Sequence, residues 1–268
     1  MSDHAGRPGA SSTPIRRALC LLGGLLGVTG SACGPAGADT IELATPAGPV
    51  PALVVQRHPP DPGGSGTRTE ARPALLLGLH GYGSDERQVA SMLGVKPDFP
   101  HVYLAPRGFH WVEGGGFAWF PITMRDGRPA VDGAALSEAI QRFAELRDAA
   151  VDASGADPER VFVIGYSQGA ALSITLAATR PGMANGFAAF AGAVPDPVWG
   201  LVEPASTHTG RRLLIGHGTL DGFTPEAVIR RDADRLRSLG LSVDLHVDDV
   251  PHVVSNAQRR RLLEWLER

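Results

Sequence analysis

Gly165-Tyr166-Ser167-Gln168-Gly169 is the stretch of this chain best suited to covalent chemistry. It follows the apolar run 161–164 and opens the small-residue stretch Ala170-Ala171-Leu172-Ser173. Strand, sharp turn and helix is the setting that lifts a serine out at the top of a sheet. Glycines two residues to either side leave room where side chains would collide with the neighbouring strand and helix. The helix N-terminus brings amide N–H groups and a positive dipole end to a reacting carbonyl. The chemistry such a serine performs is acyl transfer, with Ser167 as nucleophile.

A serine hydroxyl needs a base, and the base needs an orienting acid. On a strand–turn–helix scaffold the chain order is Ser, then Asp or Glu, then His. Downstream of Ser167 stand His208, His217, His246 and His252. His252 follows the last apolar run and precedes the final helical stretch, so it can reach over the carboxyl end of a sheet to the serine. His246 lies inside a strand pattern, His217 precedes the acid, and His208 sits in the polar loop Ser206-Thr207-His208-Thr209, where solvent exposure is expected. The expected acid is Asp221, in His217-Gly218-Thr219-Leu220-Asp221, outside the end of a strand, where sites of open α/β sheets lie. Asp244, Asp248 and Asp249 are nearer in sequence to His252 but belong to a strand or an acidic turn.

Leu79-His80-Gly81-Tyr82-Gly83-Ser84-Asp85 carries an apolar strand into a His-Gly-x-Gly loop. Such a loop supplies one backbone N–H to an oxyanion hole, the residue after the nucleophile the other; these donors are expected at Tyr82 and Gln168. His80 precedes Ser167 and reads as a brace of the loop. The glycine-rich stretch Gly114-Gly115-Gly116-Phe117-Ala118-Trp119-Phe120 has two readings. Trp119 and Phe120 form an apolar substrate-binding wall, or the stretch is a surface loop that packs Trp119 into the core. No metal-ligand cluster or phosphate-cradling lysine motif is present, so no cofactor is expected.

Taken in order, His80-Gly81-Tyr82-Gly83-Ser84-Asp85, Gly165-Tyr166-Ser167-Gln168-Gly169-Ala170, Gly218-Thr219-Leu220-Asp221 and His252 resemble the phospholipase/carboxylesterase family, which includes the acyl-protein thioesterases. The resemblance runs from about Pro73 to the C-terminus. It implies a cofactor-free serine hydrolase of the α/β-hydrolase fold, acting on carboxylic esters, thioesters or lysophospholipids. Ala118-Trp119-Phe120 resembles the family's Trp-aromatic-Asp segment, with Pro121 where the acid is usual. A polyester depolymerase, a feruloyl-type esterase or a peptidase on the same fold are alternatives. A binding protein that kept the fold without catalysis is a reading of a different class.

The elements that must position these residues follow from hydrophobic patterning. Apolar runs at 74–79, 101–105, 161–164, 187–191, 212–215 and 241–246 alternate with helix-period segments at 85–93, 131–153, 168–179, 225–239 and 255–267. Continuous apolar runs fit strands covered on both faces, and their alternation with helices predicts a mostly parallel central sheet with helices on both faces. Segment 41–58 reads as a leading strand or hairpin, 59–69 as a loop, and Pro225 and Ser255 as helix-start residues, at N1 and N-cap respectively.

The chain has 268 residues, 43% hydrophobic, with a formal charge of −3, enough for one large core. No basic stripe points to nucleic acid. Arg16 and Arg17 precede a short apolar run and small residues, the pattern of an export signal. Cleavage is expected before Cys33, with Cys33 lipidated, or after Ala38. Residues 1–38 are therefore set apart from a single domain at 39–268, on a protein exported from a bacterial cytoplasm as an envelope lipoprotein or in secreted form. An N-terminal lipid would be its membrane contact, and a small or lipid-like acyl ester its partner. The two cysteines, Cys20 and Cys33, both fall in this segment, which removes thiol chemistry from the domain.

Overall fold

A computed structural model describes residues 39–58, 72–94, 96–125, 128–202 and 207–268. Cys33 and the export segment, and the 59–69 loop, lie outside the described residues. Strands β1 (Thr40–Thr45) and β2 (Gly48–His58) form the expected leading hairpin, paired antiparallel. Strands β3 (Ala74–Leu79), β4 (His101–Pro106), β9 (Val161–Tyr166), β10 (Gly186–Phe190), β11 (Arg212–Gly218) and β12 (Ser242–Asp248) are the apolar runs of the sequence, mostly extended by one to three residues. With β1 and β2 they make one eight-stranded sheet in the order β1-β2-β4-β3-β9-β10-β11-β12. The six runs pair in parallel, and β2 joins β4 antiparallel.

Side chains alternate between the two faces of a strand, and each face here has its own core. Leu75, Leu77 and Leu79 of β3 and Val161 and Val163 of β9 face helices α2 (Gly133–Ser154), α3 (Gln168–Thr179) and α4 (Glu226–Ser238) through Phe143, Leu172 and Ile229. Ala74, Leu76, Phe162 and Ile164 face helices α1 (Glu86–Leu93) and α5 (Asn256–Leu266) through Val89, Leu262 and Trp265. Ser255 is the N-cap of α5 in a full capping box with Gln258. Pro225 departs from expectation by one position. Its ψ of 141° is extended, so it caps α4 while its carbonyl accepts from the Val228 amide.

Two small hairpins arise, one across the glycine-rich stretch and one after it, where the sequence showed no element. Strands β5 (His110–Trp111) and β6 (Phe117–Ala118) form one, and β7 (Thr123–Arg125) and β8 (Arg128–Ala130) the other. Gly116, at φ +77°, is where the first hairpin crosses the 80–85 loop; a Cβ there would overlap the Gly83 carbonyl. An ion pair between a buried carboxylate and a half-buried guanidinium stands beside that crossing. Glu86 takes two hydrogen bonds from Arg107, at 2.9 and 2.7 Å, and the guanidinium lies 4.7 Å from the centre of the Phe117 ring. Burial pushes the Glu86 carboxyl up, but the bonds and charge of Arg107 outweigh it and hold it below the usual carboxylate range.

His208 corrects the sequence expectation. It is buried rather than solvated, with Nε2 2.9 Å from the Ala178 carbonyl at the end of α3. A side-chain hydrogen bond to a helix end offsets the cost of taking the imidazole out of water. The Glu86–Arg107 pair sets the first prediction. Glu86→Ala lowers the unfolding free energy by about 2 kcal/mol, the scale of a charge-assisted hydrogen bond. Urea denaturation checks it, with a lower midpoint at an unchanged slope.

Candidate active site

The end of β9 and the start of α3 approach so closely that side chains are excluded at two points. A Cβ on Gly165 would overlap the Gly169 carbonyl, and one on Gly169 would overlap the Leu79 carbonyl. Between them Ser167 adopts φ 53°, ψ −114°, a conformation that costs an L-residue about 1–3 kcal/mol. Two backbone bonds hold it: the Ser167 amide donates to Phe190 at 2.9 Å, and the Ser167 carbonyl accepts from Ala171 at 3.0 Å.

His252 stands on the loop between β12 and α5, with Nε2 3.0 Å from Ser167 Oγ and Nδ1 2.8 Å from Asp221 Oδ2. The carboxylate contact puts the imidazole proton on Nδ1 and turns the Nε2 lone pair toward the hydroxyl. The Asp221 side chain has no exposed surface, and its other oxygen accepts from the amides of Phe223 (2.9 Å) and Thr224 (3.2 Å). Burial pushes this carboxyl up. The hydrogen bond and charge of His252, with the two amides, outweigh burial and hold it below the ordinary aspartate value. Phe223 meets the imidazole edge-on at 4.7 Å. Tyr166 donates its hydroxyl to the His252 carbonyl at 2.8 Å, and its own pKa is pushed up to about 12 by burial and by Asp221. Nothing in the sequence pattern singled out Tyr166 or Phe223 beyond their places beside Ser167 and Asp221.

The 80–85 loop lies against the nucleophile; a Cβ on Gly81 would sit 3.3 Å from Ser167 Cβ. It is braced from several sides. His80 Nδ1 lies 2.8 Å from the Gly81 carbonyl, and its Nε2 accepts from the Gly108 amide at 2.9 Å. Gln88 accepts from the Gly81 amide at 2.8 Å. The Gly83 amide donates to Phe117, and the Phe117 amide to Ser84. Among the described residues, neither the Tyr82 nor the Gln168 amide donates to a protein acceptor.

Gln168 also works through its side chain. Oε1 accepts from the Trp119 amide at 2.9 Å, and Nε2 donates to the Phe120 carbonyl at 2.7 Å. These two bonds tie the 119–120 segment to the start of α3. A cavity of about 730 Å³ opens beside Ser167, lined by Phe120, Ile122, Ala171, Val194, Phe223 and His252 among others.

A family model described as Phospholipase/Carboxylesterase matches residues 67–267. The chain belongs to this family. A probable carboxylesterase of Oryza sativa subsp. japonica is 37% identical over 210 residues, 72% of this chain and 86% of the relative. The acyl-protein thioesterase 1 of Eremothecium gossypii is 30% identical over 110 residues, 41% of this chain and 46% of the thioesterase, so the match spans about half of that relative. A carboxylesterase structure from Mesorhizobium loti superposes with a TM-score of 0.67 at 23% identity, covering 85% of this chain and 98% of that one. The fold is therefore the α/β-hydrolase fold.

In this phospholipase/carboxylesterase family member the glycine-rich stretch divides between its two readings, with Trp119 in the core and Phe120 on the cavity wall. Trp119 is wholly buried and does not line the cavity, whereas Phe120 does. The indole N–H donates to the His80 carbonyl at 2.9 Å, and the ring meets Phe109 edge-on. Trp119 therefore supports the wall from behind. Linkage gives a prediction for Asp221. A carboxyl with a depressed folded pKa contributes stability that is fully present above its unfolded value of about 3.9 and is lost as pH falls through the folded value. Urea midpoints measured from pH 5 down to pH 2 should fall less steeply in Asp221→Asn than in the parent.

Proposed function

We propose that this chain is a serine hydrolase that cleaves carboxylic-ester bonds, thioesters and lysophospholipid esters included, by two-step acyl transfer. The observation that carries this reading is the hydrogen-bonded line from Asp221 through His252 to Ser167 at the edge of an apolar cavity. Ser167 Oγ attacks the ester carbonyl while His252 Nε2 takes its proton, and Asp221 stabilises the imidazolium that forms. The tetrahedral oxyanion accepts hydrogen bonds from the Tyr82 and Gln168 amides, which have no competing protein acceptor to leave. His252 then protonates the departing alcohol or thiol. Water, activated by the same imidazole, releases the acid and restores Ser167.

The apolar walls favour an acyl chain over a peptide, which would bring unsatisfied amide groups into the cavity. Export is part of this proposal, supported by Arg16, Arg17 and the apolar run after them, with Cys33 as the residue that takes a lipid. Mass spectrometry of the mature N-terminus would give a lipidated Cys33, and an unmodified start at Asp39 would refute the anchor.

Activity is predicted from the assigned roles. Ser167→Ala and His252→Ala lower kcat on p-nitrophenyl butyrate by on the order of 10⁴-fold or more, and Asp221→Asn by about 10⁴-fold. A fluorophosphonate probe should label Ser167 alone, as read by peptide mass spectrometry. Full activity of Ser167→Ala, or labelling elsewhere, would refute the reading.

A further inference from the structure

His80 is a wholly buried imidazole outside the proton transfers assigned to Ser167, His252 and Asp221. Its two ring nitrogens meet backbone groups of opposite kind. Nε2 lies 2.9 Å from the Gly108 amide, which can only donate, so this nitrogen carries the lone pair. Nδ1 then carries the proton and donates to the Gly81 carbonyl at 2.8 Å. Burial holds the ring below the usual histidine range and outweighs the pull of that carbonyl, Asp85 and Glu86. The result is a neutral ring in one fixed tautomer. Gly108 itself packs against the Ala118 backbone, where a Cβ would overlap it.

The Gly81 carbonyl and the Tyr82 amide belong to one peptide unit. That unit is trans and planar, so its C=O and N–H point in opposite directions. A donor that fixes the carbonyl therefore fixes the direction of the Tyr82 N–H. The Ser84 amide also reaches this carbonyl, within the local turn at 3.3 Å. His80 supplies the shorter bond and ties the unit to Gly108, beyond the end of β4. Resting on the Ser167 reading and on Tyr82 as an oxyanion donor, we infer that His80 is a positioning residue for the oxyanion hole. Its Nδ1–H sets and polarises the Gly81–Tyr82 peptide, whose N–H meets the developing negative charge. The ring completes a line of donors: Gly108 N–H to Nε2, Nδ1–H to the Gly81 carbonyl, and Tyr82 N–H to the substrate oxygen. Bonds in such a chain polarise one another in the same sense. His80 touches no reacting atom, so its effect grows with the charge and is small for an uncharged ligand.

The ketone 1,1,1-trifluorooctan-2-one, compared with its alcohol 1,1,1-trifluorooctan-2-ol, tests this. Ser167 Oγ adds to the ketone carbon, the C=O π pair becomes the oxyanion, and the serine proton passes to His252 Nε2; nothing leaves. The alcohol fills the same cavity without forming that charge. The quantity read is the ratio of inhibition constants, alcohol over ketone, which does not depend on the folded fraction. An Asn side chain puts an amide N–H at the Nδ1 position, and a Gln side chain puts its oxygen at the Nε2 position. His80→Asn therefore keeps the bond to Gly81 and loses that to Gly108, and His80→Gln does the reverse. The ratio should fall about tenfold in His80→Gln and His80→Ala, short of the roughly 10²–10³ for an oxyanion donor lost outright. In His80→Asn it should stay within about threefold of the parent, since the bond that directs the donor survives. Urea midpoints should fall in all of these variants, because each gives up a buried hydrogen bond. A ratio unmoved in His80→Gln, or lowered as far in His80→Asn, would make His80 a brace only and overturn the inference. Fluorophosphonate labelling of Ser167 would then leave the nucleophile reading standing. A parent that binds ketone and alcohol alike, with Ser167 unlabelled, would overturn both.

Discussion

The approach of β9 to α3 is the constraint on which the rest of the site depends. Leu79, at the end of β3, sits under Gly169, and the Gly169 carbonyl sits under Gly165, with no room for a methyl group at either glycine. That closeness forces the turn at Ser167 into a positive φ and directs its side chain out past the carboxyl end of the sheet. It also leaves the Gln168 amide, the first of α3, without a protein acceptor among the described residues. The strain is local and modest, of order 1–3 kcal/mol. The parallel pairing of β9 with both β3 and β10 leaves the turn no alternative path.

Around this turn the loops hold one another rather than standing alone. Gln168 clamps the 119–120 segment, Trp119 reaches back to the His80 carbonyl, and His80 joins Gly81 to Gly108. On the other side Tyr166 fixes the backbone of His252 while Asp221 fixes its ring. Most of these bonds run between a side chain and a backbone group distant in sequence. Such braces limit the movement of donors and acceptors, which is what preorganisation of a charged transition state requires.

How much of this was legible in the sequence follows from the kind of interaction involved. The strands were legible because both faces are covered, so 74–79 and 161–164 read as unbroken apolar runs. Ser167, Asp221 and His252 were legible because their order and their places after strands are dictated by topology, and the structure brings the three together. Gln168 was foreseen for its amide alone, since the bonds of its side chain to Trp119 and Phe120 leave no periodic trace. Trp119 stayed open between substrate wall and core, and His208 was expected in solvent, because a polar or glycine-rich neighbourhood in sequence does not reveal which carbonyl lies above it in space. The hairpin that carries Arg125 was invisible for the same reason: its strands are three residues each, shorter than any pattern can register.

The sheet order has a consequence for biosynthesis. Leu75 pairs with Val161, and Ser167 meets His252 only after 85 further residues have been added. The His252 loop is then pinned by α5, whose Gln258 donates to the His217 carbonyl and whose Trp265 closes the core under Phe162. A nascent chain emerging from the ribosome thus contains its serine long before it contains a base. On the proposed roles, the last segment to be translated is the one that arms it, so a chain that stops short of His252 would carry the serine without its base.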